Sequence, residues 1–321
     1  MTKRTKAGKR IRVDRLTSLI ILLFMVLTMS VLNGEFFTIQ TLRNLMQQVS
    51  AVGVVALGAM FVIIAGGIDF TAGYGLAMVG MIAGTIYTSY TDNVVVFLFA
   101  ALLGGAALGL VNGLVIAKLK ILPFIATLAI MSIAQGLSLL IGGGGMVILT
   151  NEQIIWIGQG KVFGFVPVSF LLFLFAGIII FILLNKTKLG VYTYAIGSNQ
   201  EAVRYMGINV DRYKILVYIV AGICTGLASL LTVTKIAMAT PGIYGTTLLD
   251  AIAATVIGGT SITGGKGNVV GTICGVFIIV IISSALTYLK IAPEMQEFFK
   301  GTVIFIAIGL DAYVSRVARK V

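Results

Sequence analysis

NKTKLGVYTYAIGSNQEAVRYMGINVDRY, residues 185–213, is the longest polar interruption in a chain that otherwise reads as one apolar segment after another. Within it Ser198 precedes Glu201 by three residues, the S-x-x-E spacing in which two side chains satisfy the free N–H groups of a helix start. The spacing predicts a short helix from Asn199, with Ala202, Val203 and Met206 on one side and Gln200, Arg204 and Tyr205 elsewhere around it. Gly207 stands where a left-handed C-terminal residue ends a helix. A helix of roughly two turns is not stable alone in water, so its apolar stripe needs a surface to rest on. Two surfaces are open at this point: the ends of the chain's own membrane helices, or a partner protein.

The rest of the chain says what that loop interrupts. Of its 321 residues 59% are hydrophobic and 11% charged, and the mean hydropathy is +1.08. A soluble globule carries about a quarter charged residues, so the soluble classes are excluded in favour of a polytopic membrane protein. The net charge of +12 clusters at the N-terminus, in the 185–213 loop and at the C-terminus. That pattern fits cytoplasmic faces against anionic lipid rather than a nucleic-acid partner. Cys224 and Cys274 lie in apolar runs without metal-ligand or disulfide spacing, and histidine is absent from the sequence. No catalytic set and no metal site is read.

Spans of about 20 apolar residues cross a bilayer. Ten candidates run approximately over 16–32, 45–64, 72–90, 94–116, 122–141, 165–184, 214–233, 248–258, 268–289 and 298–315. The eighth is too short to span as written and either extends into the glycines after it or remains a half-helix. The basic run from Lys3 to Arg15 precedes Leu16–Leu32, which has no small-residue cleavage site and is read as a retained first span. Residues 1–15 thus form a basic cytoplasmic segment, 16–315 a single membrane domain and 316–321 a basic cytoplasmic tail. With the N-terminus inside, successive crossings put Lys118, Lys120, the 185–213 loop, Arg316 and Arg319 inside as well, as the positive-inside rule requires. The segments 33–44, 91–93, 142–164, 234–247 and 290–297 fall outside.

Small residues recur four apart at Gly80 and Gly84, at Gly105, Gly109 and Gly113, at Gly222 and Gly226, and at Gly271 and Gly275. Such spacing lets helices approach closely in lipid. Two glycine-rich breaks, GGIDFTAGYG at 66–75 and GGTSITGGKG at 258–267, match at five of ten positions, and LKILP at 119–123 echoes LKIAP at 289–293. The expected fold is all-α: a polytopic bundle of about ten transmembrane helices with glycine-rich helix breaks and an internal repeat whose boundaries the differing spacings leave open.

Asp69 lies between apolar flanks, where a charge is costly and by default a functional candidate, although Asp69 or Thr71 also suits the cap of the following span. Asp69, Phe70, Thr71, Asn112 and Thr263 are the pathway candidates. Asn112, Gln135, Ser132, Ser138, Ser283 and Ser284 are also read as bonding neighbouring helices rather than a solute, and Trp156, Tyr87, Tyr90, Tyr192 and Tyr194 as interfacial aromatics. TGGKG at 263–267 lacks the spacing and the final Ser or Thr of a phosphate-binding loop.

The run Glu201-Ala202-Val203 with Gly207 four residues on resembles the EAA-x-x-x-G coupling loop of ATP-binding-cassette importer permeases, with Val203 in place of the second Ala. GGID at 66–69, followed by Thr71 and Gly73, resembles the GGIDLS-x-G signature of the ribose-type monosaccharide permeases in that superfamily. AIGSNQEAVRYMGINVDRYK at 195–214, GGTSITGGKG and LPFIATL at 122–128 also look like family segments. The resemblance implies a homodimeric or pseudo-dimeric, multi-pass permease of the bacterial inner membrane with both termini cytoplasmic. It implies a separate cytoplasmic ATP-binding subunit that carries ATP and Mg, so that this chain holds no cofactor, and an extracytoplasmic sugar-binding protein. Ser198, Glu201, Ala202, Val203, Met206 and Gly207 would then form the helix that docks on the ATPase. Two other classes compete. A proton-coupled secondary carrier would use Asp69 but leaves the loop helix unexplained. An integral-membrane enzyme of lipid or polyprenyl-sugar metabolism lacks a second carboxylate or histidine to work with Asp69.

Overall fold

The structure, a computed structural model, describes residues 38–242, 245–292 and 294–302 together with 305 and 309. The expected first span, 16–32, and most of the tenth lie outside the described residues. In chain order the helices are α1 (Ile39–Ile64), α2 (Ala72–Tyr90), α3 (Val94–Lys118), α4 (Pro123–Ile141), α5 (Glu152–Gln159), α6 (Val168–Lys186), α7 (Lys188–Ser198), α8 (Gln200–Tyr205), α9 (Val210–Ile236), α10 (Gly245–Ile257) and α11 (Val269–Tyr288). Residues 294–302 are also helical. Four two-residue strands, β1 (Val147–Ile148), β2 (Lys161–Val162), β3 (Val166–Pro167) and β4 (Met238–Ala239), pair antiparallel as β1–β4 and β2–β3.

Six described helices, α1, α3, α4, α6, α9 and α11, are long and apolar enough to cross a bilayer. The eighth candidate is α10, 13 residues long, which at 1.5 Å per residue covers about 20 Å of a hydrocarbon core of about 30 Å. It is a half-helix that the glycines after it do not extend.

The fold is an all-α membrane bundle arranged around α1. Of the most apolar 18 residues of α1, 78% are buried, against 28% in α3 and α4, and α6, α9, α10 and α11 all pack on it. Every residue from Gly53 to Ile64 is buried. The peripheral helices instead leave one flank of large apolar side chains uncovered, among them Leu103, Ile133 and Ile178, as helices facing lipid do.

The small-residue spacings locate the tightest crossing. A Cβ added at Gly105 would stand 2.2 Å from the Gly222 carbonyl, one at Gly109 2.1 Å from the Tyr218 carbonyl and one at Gly226 2.4 Å from the Ala101 carbonyl. The glycine rows of α3 and α9 therefore face each other, backbone on backbone. Gly271 and Gly275 similarly seat α11 against Ala254 of α10 and Gly258 just beyond its end. Without a hydrophobic drive between helices in lipid, this contact is where close packing supplies association.

The connections segregate to two ends of the bundle. At one end, β1 pairs with β4, Gln47 Nε2 donates to the Gly158 carbonyl at 3.3 Å and Gln159 Nε2 to the Lys235 carbonyl at 2.9 Å, and Thr41 bonds Tyr288. At the other end meet 65–71, 119–122, 187–209 and 258–268. The first sequence echo reproduces in the backbone with a shift of one residue. Gly66 N–H donates to Ile63 O and Gly67 N–H to Val62 O, and Gly259 and Thr260 make the same two bonds to Val256 and Thr255. Gly66 (φ 81°) and Gly259 (φ 87°) supply the left-handed residue of each stop. Lys120 and Lys290 of the second echo share φ 56°, but they lie at opposite ends of the bundle, which is why the spacings of the two echoes differ.

The 185–213 segment departs from its sequence reading. It is largely helical, α7 occupying 188–198 before α8 begins. Ser198 ends α7, and the cap of α8 is Asn199, whose Oδ1 accepts the Ala202 N–H at 3.0 Å. Glu201 pairs instead with Arg204 at 3.2 Å, so the expected Ser198–Glu201 capping pair does not form. Two adjacent residues were competent to cap, and the extended backbone falls on Asn199 (φ −160°, ψ 97°).

Candidate functional site: two helix breaks against the α7–α8 corner

The first break is held by a buried polar cluster. Asp69, Thr71, Asn112 and Thr127 are 6%, 1%, 1% and 0% exposed. Asp69 Oδ1 accepts the Thr71 N–H at 2.9 Å, closing the turn that starts α2. Asn112 Nδ2, from α3, donates to Thr71 Oγ1 at 2.9 Å and reaches Asp69 Oδ1 at 3.5 Å. The Thr71 hydroxyl has Asn112 Oδ1 at 3.2 Å and the Thr127 carbonyl at 3.3 Å, and Thr127 Oγ1, from α4, donates to Pro123 O at 2.8 Å with Ile68 O at 3.3 Å. One carboxylate, one amide and two hydroxyls thereby tie the α1–α2 break to α3 and α4. Burial makes each of these bonds costly to leave unmade.

Phe70 extends the cluster outward, its ring meeting Phe124 edge-on at 5.4 Å. Beneath the break lies Tyr218 of α9, 3% exposed. Its hydroxyl, buried without a hydrogen-bond partner among the described residues, would stand 2.6 Å from a Cβ on Gly67.

The second break meets the first at the α7–α8 corner. Gly265 N–H donates to the Ile64 carbonyl, the end of α1, at 2.9 Å. A Cβ on Gly264 would lie 2.8 Å from Gly197 O and 3.1 Å from Gly66 Cα, one on Gly265 2.4 Å from Ser198 Oγ, and one on Gly197 1.8 Å from Ile64 O. Tyr194 Oη donates to Gly267 O at 2.7 Å. Three backbone segments remote in sequence, around Gly66, Gly197 and Gly264, are in direct contact because none carries a side chain there. The α7–α8 corner therefore touches both breaks at once.

Helix α8 hangs from this corner. Val203 is 2% exposed and packs with Ile196 and Val210, so it anchors the helix to its own chain and does not share an exposed stripe with Ala202 and Met206. Those two residues and Tyr205, 88% exposed, form the outward ridge. Gly207 has φ 77° and its N–H caps Arg204 O, the left-handed stop expected of it.

Of the pathway candidates, Asp69, Thr71 and Asn112 come together, Phe70 flanks them, and Thr263 lies exposed on the second break with its Oγ1 3.0 Å from Ser261 Oγ. The sequence reading missed a buried ion pair. Lys300, 7% exposed, lies 3.6 Å from Asp250 of α10 and 2.6 Å from Glu297. A lone lysine in the apolar run 298–315 and an aspartate in 248–258 were the available signal. It also missed Tyr218, which nothing marks in sequence.

The family model described as branched-chain amino acid transport system / permease component matches residues 41–308. The ribose import permease protein RbsC of Escherichia coli (strain K12) is 36% identical over 319 residues, covering 97% of this chain and 99% of the relative. Its Bacillus subtilis (strain 168) namesake is 38% identical over 90% of each chain. The L-arabinose ABC transporter permease protein AraH of Azospirillum brasilense is 32% identical over 92% of this chain and 87% of the relative. No solved structure matches.

Proposed function

This chain belongs to the family described as branched-chain amino acid transport system / permease component, and from that premise we propose that it is the permease subunit of an ATP-driven importer of a monosaccharide, ribose or a related sugar. The family description names amino acids. The near full-length similarity to permeases named for ribose and arabinose carries the choice of sugar.

ATP hydrolysis belongs to a separate cytoplasmic subunit, which supplies ATP and Mg and seats on the Ala202–Tyr205–Met206 ridge. In support, Tyr205 and Met206 are exposed on a helix whose opposite side is fixed by Val203. The end of the bundle carrying α7 and α8 is cytoplasmic, as Lys118, Lys186, Lys188 and Arg212 there suggest. Two copies of the permease enclose the route, and an extracytoplasmic binding protein delivers sugar to the other end. Asp69, Phe70, Thr71 and Asn112 on one break and Thr263 on the other border the inner end of the route, where the α7–α8 corner moves them when the ATPase closes.

The test is sugar uptake by vesicles reconstituted with the permease, the ATPase and the binding protein. Ribose uptake is expected to require internal ATP and to survive collapse of the proton gradient. Uptake that follows the proton gradient with the ATPase omitted would instead assign a secondary carrier, and uptake of a branched-chain amino acid in place of sugar would overturn the substrate.

A further inference from the structure

Next to α8, on the same end of the bundle, is a cleft of about 230 Å³ that the transport cycle described above does not use. Three separate elements line it with cations: Lys120 from the α3–α4 turn, Arg204 from α8 and Lys214 from the first turns of α9. Asp211 is the single acidic residue of its lining. Glu201 binds Arg204 at 3.2 Å from outside the cleft, an exposed pair that holds the guanidinium weakly. One wall is the first turn of α4. It is formed by Leu122 and Pro123, where no side chain caps the start of a 19-residue helix and the helix dipole is positive. Lys120 itself sits at φ 56°, a backbone geometry uncommon for lysine, which sets it in the turn at the mouth of the cleft.

The rim has the opposite chemistry. Leu119, Leu122, Phe124 and Ile125 are each more than half exposed, on a helix pair whose outer flank faces lipid. A cationic hollow edged by apolar side chains at the end of membrane helices matches a phospholipid, with its phosphate inside and its acyl chains along α4. The volume is below the range of about 300–1,000 Å³ of drug-sized sites, which suits a small headgroup and not a nucleotide.

We propose that this cleft binds the phosphate of an anionic phospholipid headgroup, such as phosphatidylglycerol, held by Lys120, Lys214 and Arg204 against the first turn of α4. The bound lipid bridges the membrane surface to α8, so the helix that meets the ATPase is referenced to the bilayer. The inference does not depend on which solute the chain moves.

The experiment uses the full-length permease in neutral detergent and measures retained phosphatidylglycerol against phosphatidylcholine by native mass spectrometry. The wild type is compared with the Lys120→Gln/Lys214→Gln double variant and with Lys266→Gln, an exposed lysine on the same end outside the cleft. Wild type and Lys266→Gln are expected to prefer phosphatidylglycerol. The double variant should bind it at least about tenfold more weakly, from the loss of two cations near the surface, with unchanged melting in phosphatidylcholine. Equal retention of both lipids by the wild type, or an undiminished preference in the double variant, overturns the site. Loss of the preference in excess inorganic phosphate, with phosphate bound in its place, overturns the lipid in favour of a free anion. Loss of ATPase co-purification in the double variant with lipid preference intact would mean that the cleft receives an acidic protein surface instead.

Discussion

Asp69 caps the start of α2, and the geometry separates that job from the part in transport that we propose for its charge. Its Oδ1 accepts the Thr71 N–H at 2.9 Å and faces Asn112 Nδ2 at 3.5 Å, so an amide oxygen serves the first bond as well as a carboxylate does. Asp69→Asn is therefore expected to insert, purify and melt like the wild type. Asp69→Ala strands the buried Thr71 N–H and should cost about 1–3 kcal/mol of stability. If the negative charge also serves transport, uptake falls in both variants although only one is destabilised. Wild-type uptake by both removes Asp69 from the site. The capping half of this role was legible in the sequence, since Asp two residues before an N–H is a local pattern. Its pairing with Asn112, and the bond of Thr127 to the neighbouring Ile68 carbonyl, were not, because they span 43 and 59 residues of chain through the packing of α3 and α4. Tyr218 was invisible for the same reason.

Among the elements, α8 shows how far local pattern goes. The existence of the helix, its left-handed stop at Gly207 and the number of its turns follow from residues within a few positions of one another. Which side it buries depends on α7, and α7 was missed because KLGVYTYAIGS contains two glycines and has no clean apolar period. Its stability comes from packing Gly190 onto the end of α6 and Gly197 onto the end of α1, which no window of sequence displays. The consequence is a split within the stripe read from sequence. Val203→Glu places a charge where 2% of the side chain is exposed, so it should unfasten α8 from Ile196 and Val210 and make the 185–213 segment protease-sensitive even without the ATPase. Met206→Glu and Ala202→Glu leave the permease intact and are expected to lose co-purification of the ATPase or sugar-stimulated hydrolysis, since an unpaired charge at the core of an interface is costly. Full coupling in both exposed variants would reduce α8 to a packed loop.

At the scale of the whole molecule, the two sets of connections put opposite ends of one bundle on opposite sides of a bilayer, and the charges predict which end is which. The end with α7, α8 and the two breaks carries Lys118, Lys120, Lys186, Lys188, Arg204, Arg212, Lys214 and Lys266 against Asp69, Glu201 and Asp211, while the end with α5 and the paired strands carries Arg43, Lys161, Lys235, Lys290 and Lys300 against Asp92, Glu152, Asp250, Glu294 and Glu297. Excess Lys and Arg in short loops is retained on the cytoplasmic side, so the α7–α8 end should lie inside. The glycine rows that hold α3 on α9 fix both helices in one unit, which means the orientation cannot differ from one hairpin to the next: a single correct assignment orients every described helix. Ser198 and Glu152 are exposed at the two ends, and Cys224 is buried and Cys274 half-buried within helices, so single cysteines introduced at Ser198 or Glu152 report on a quiet background. Glu152→Cys is expected to react with a membrane-impermeant maleimide in intact spheroplasts. Ser198→Cys is expected to react only after the membrane is opened, and, if α8 docks on the ATPase as proposed, its labelling should fall when the ATPase is co-expressed. The reverse pattern would invert the molecule and move the ATPase site to the wrong side, and labelling of both from outside would break the assignment of loops to ends on which the coupling argument rests.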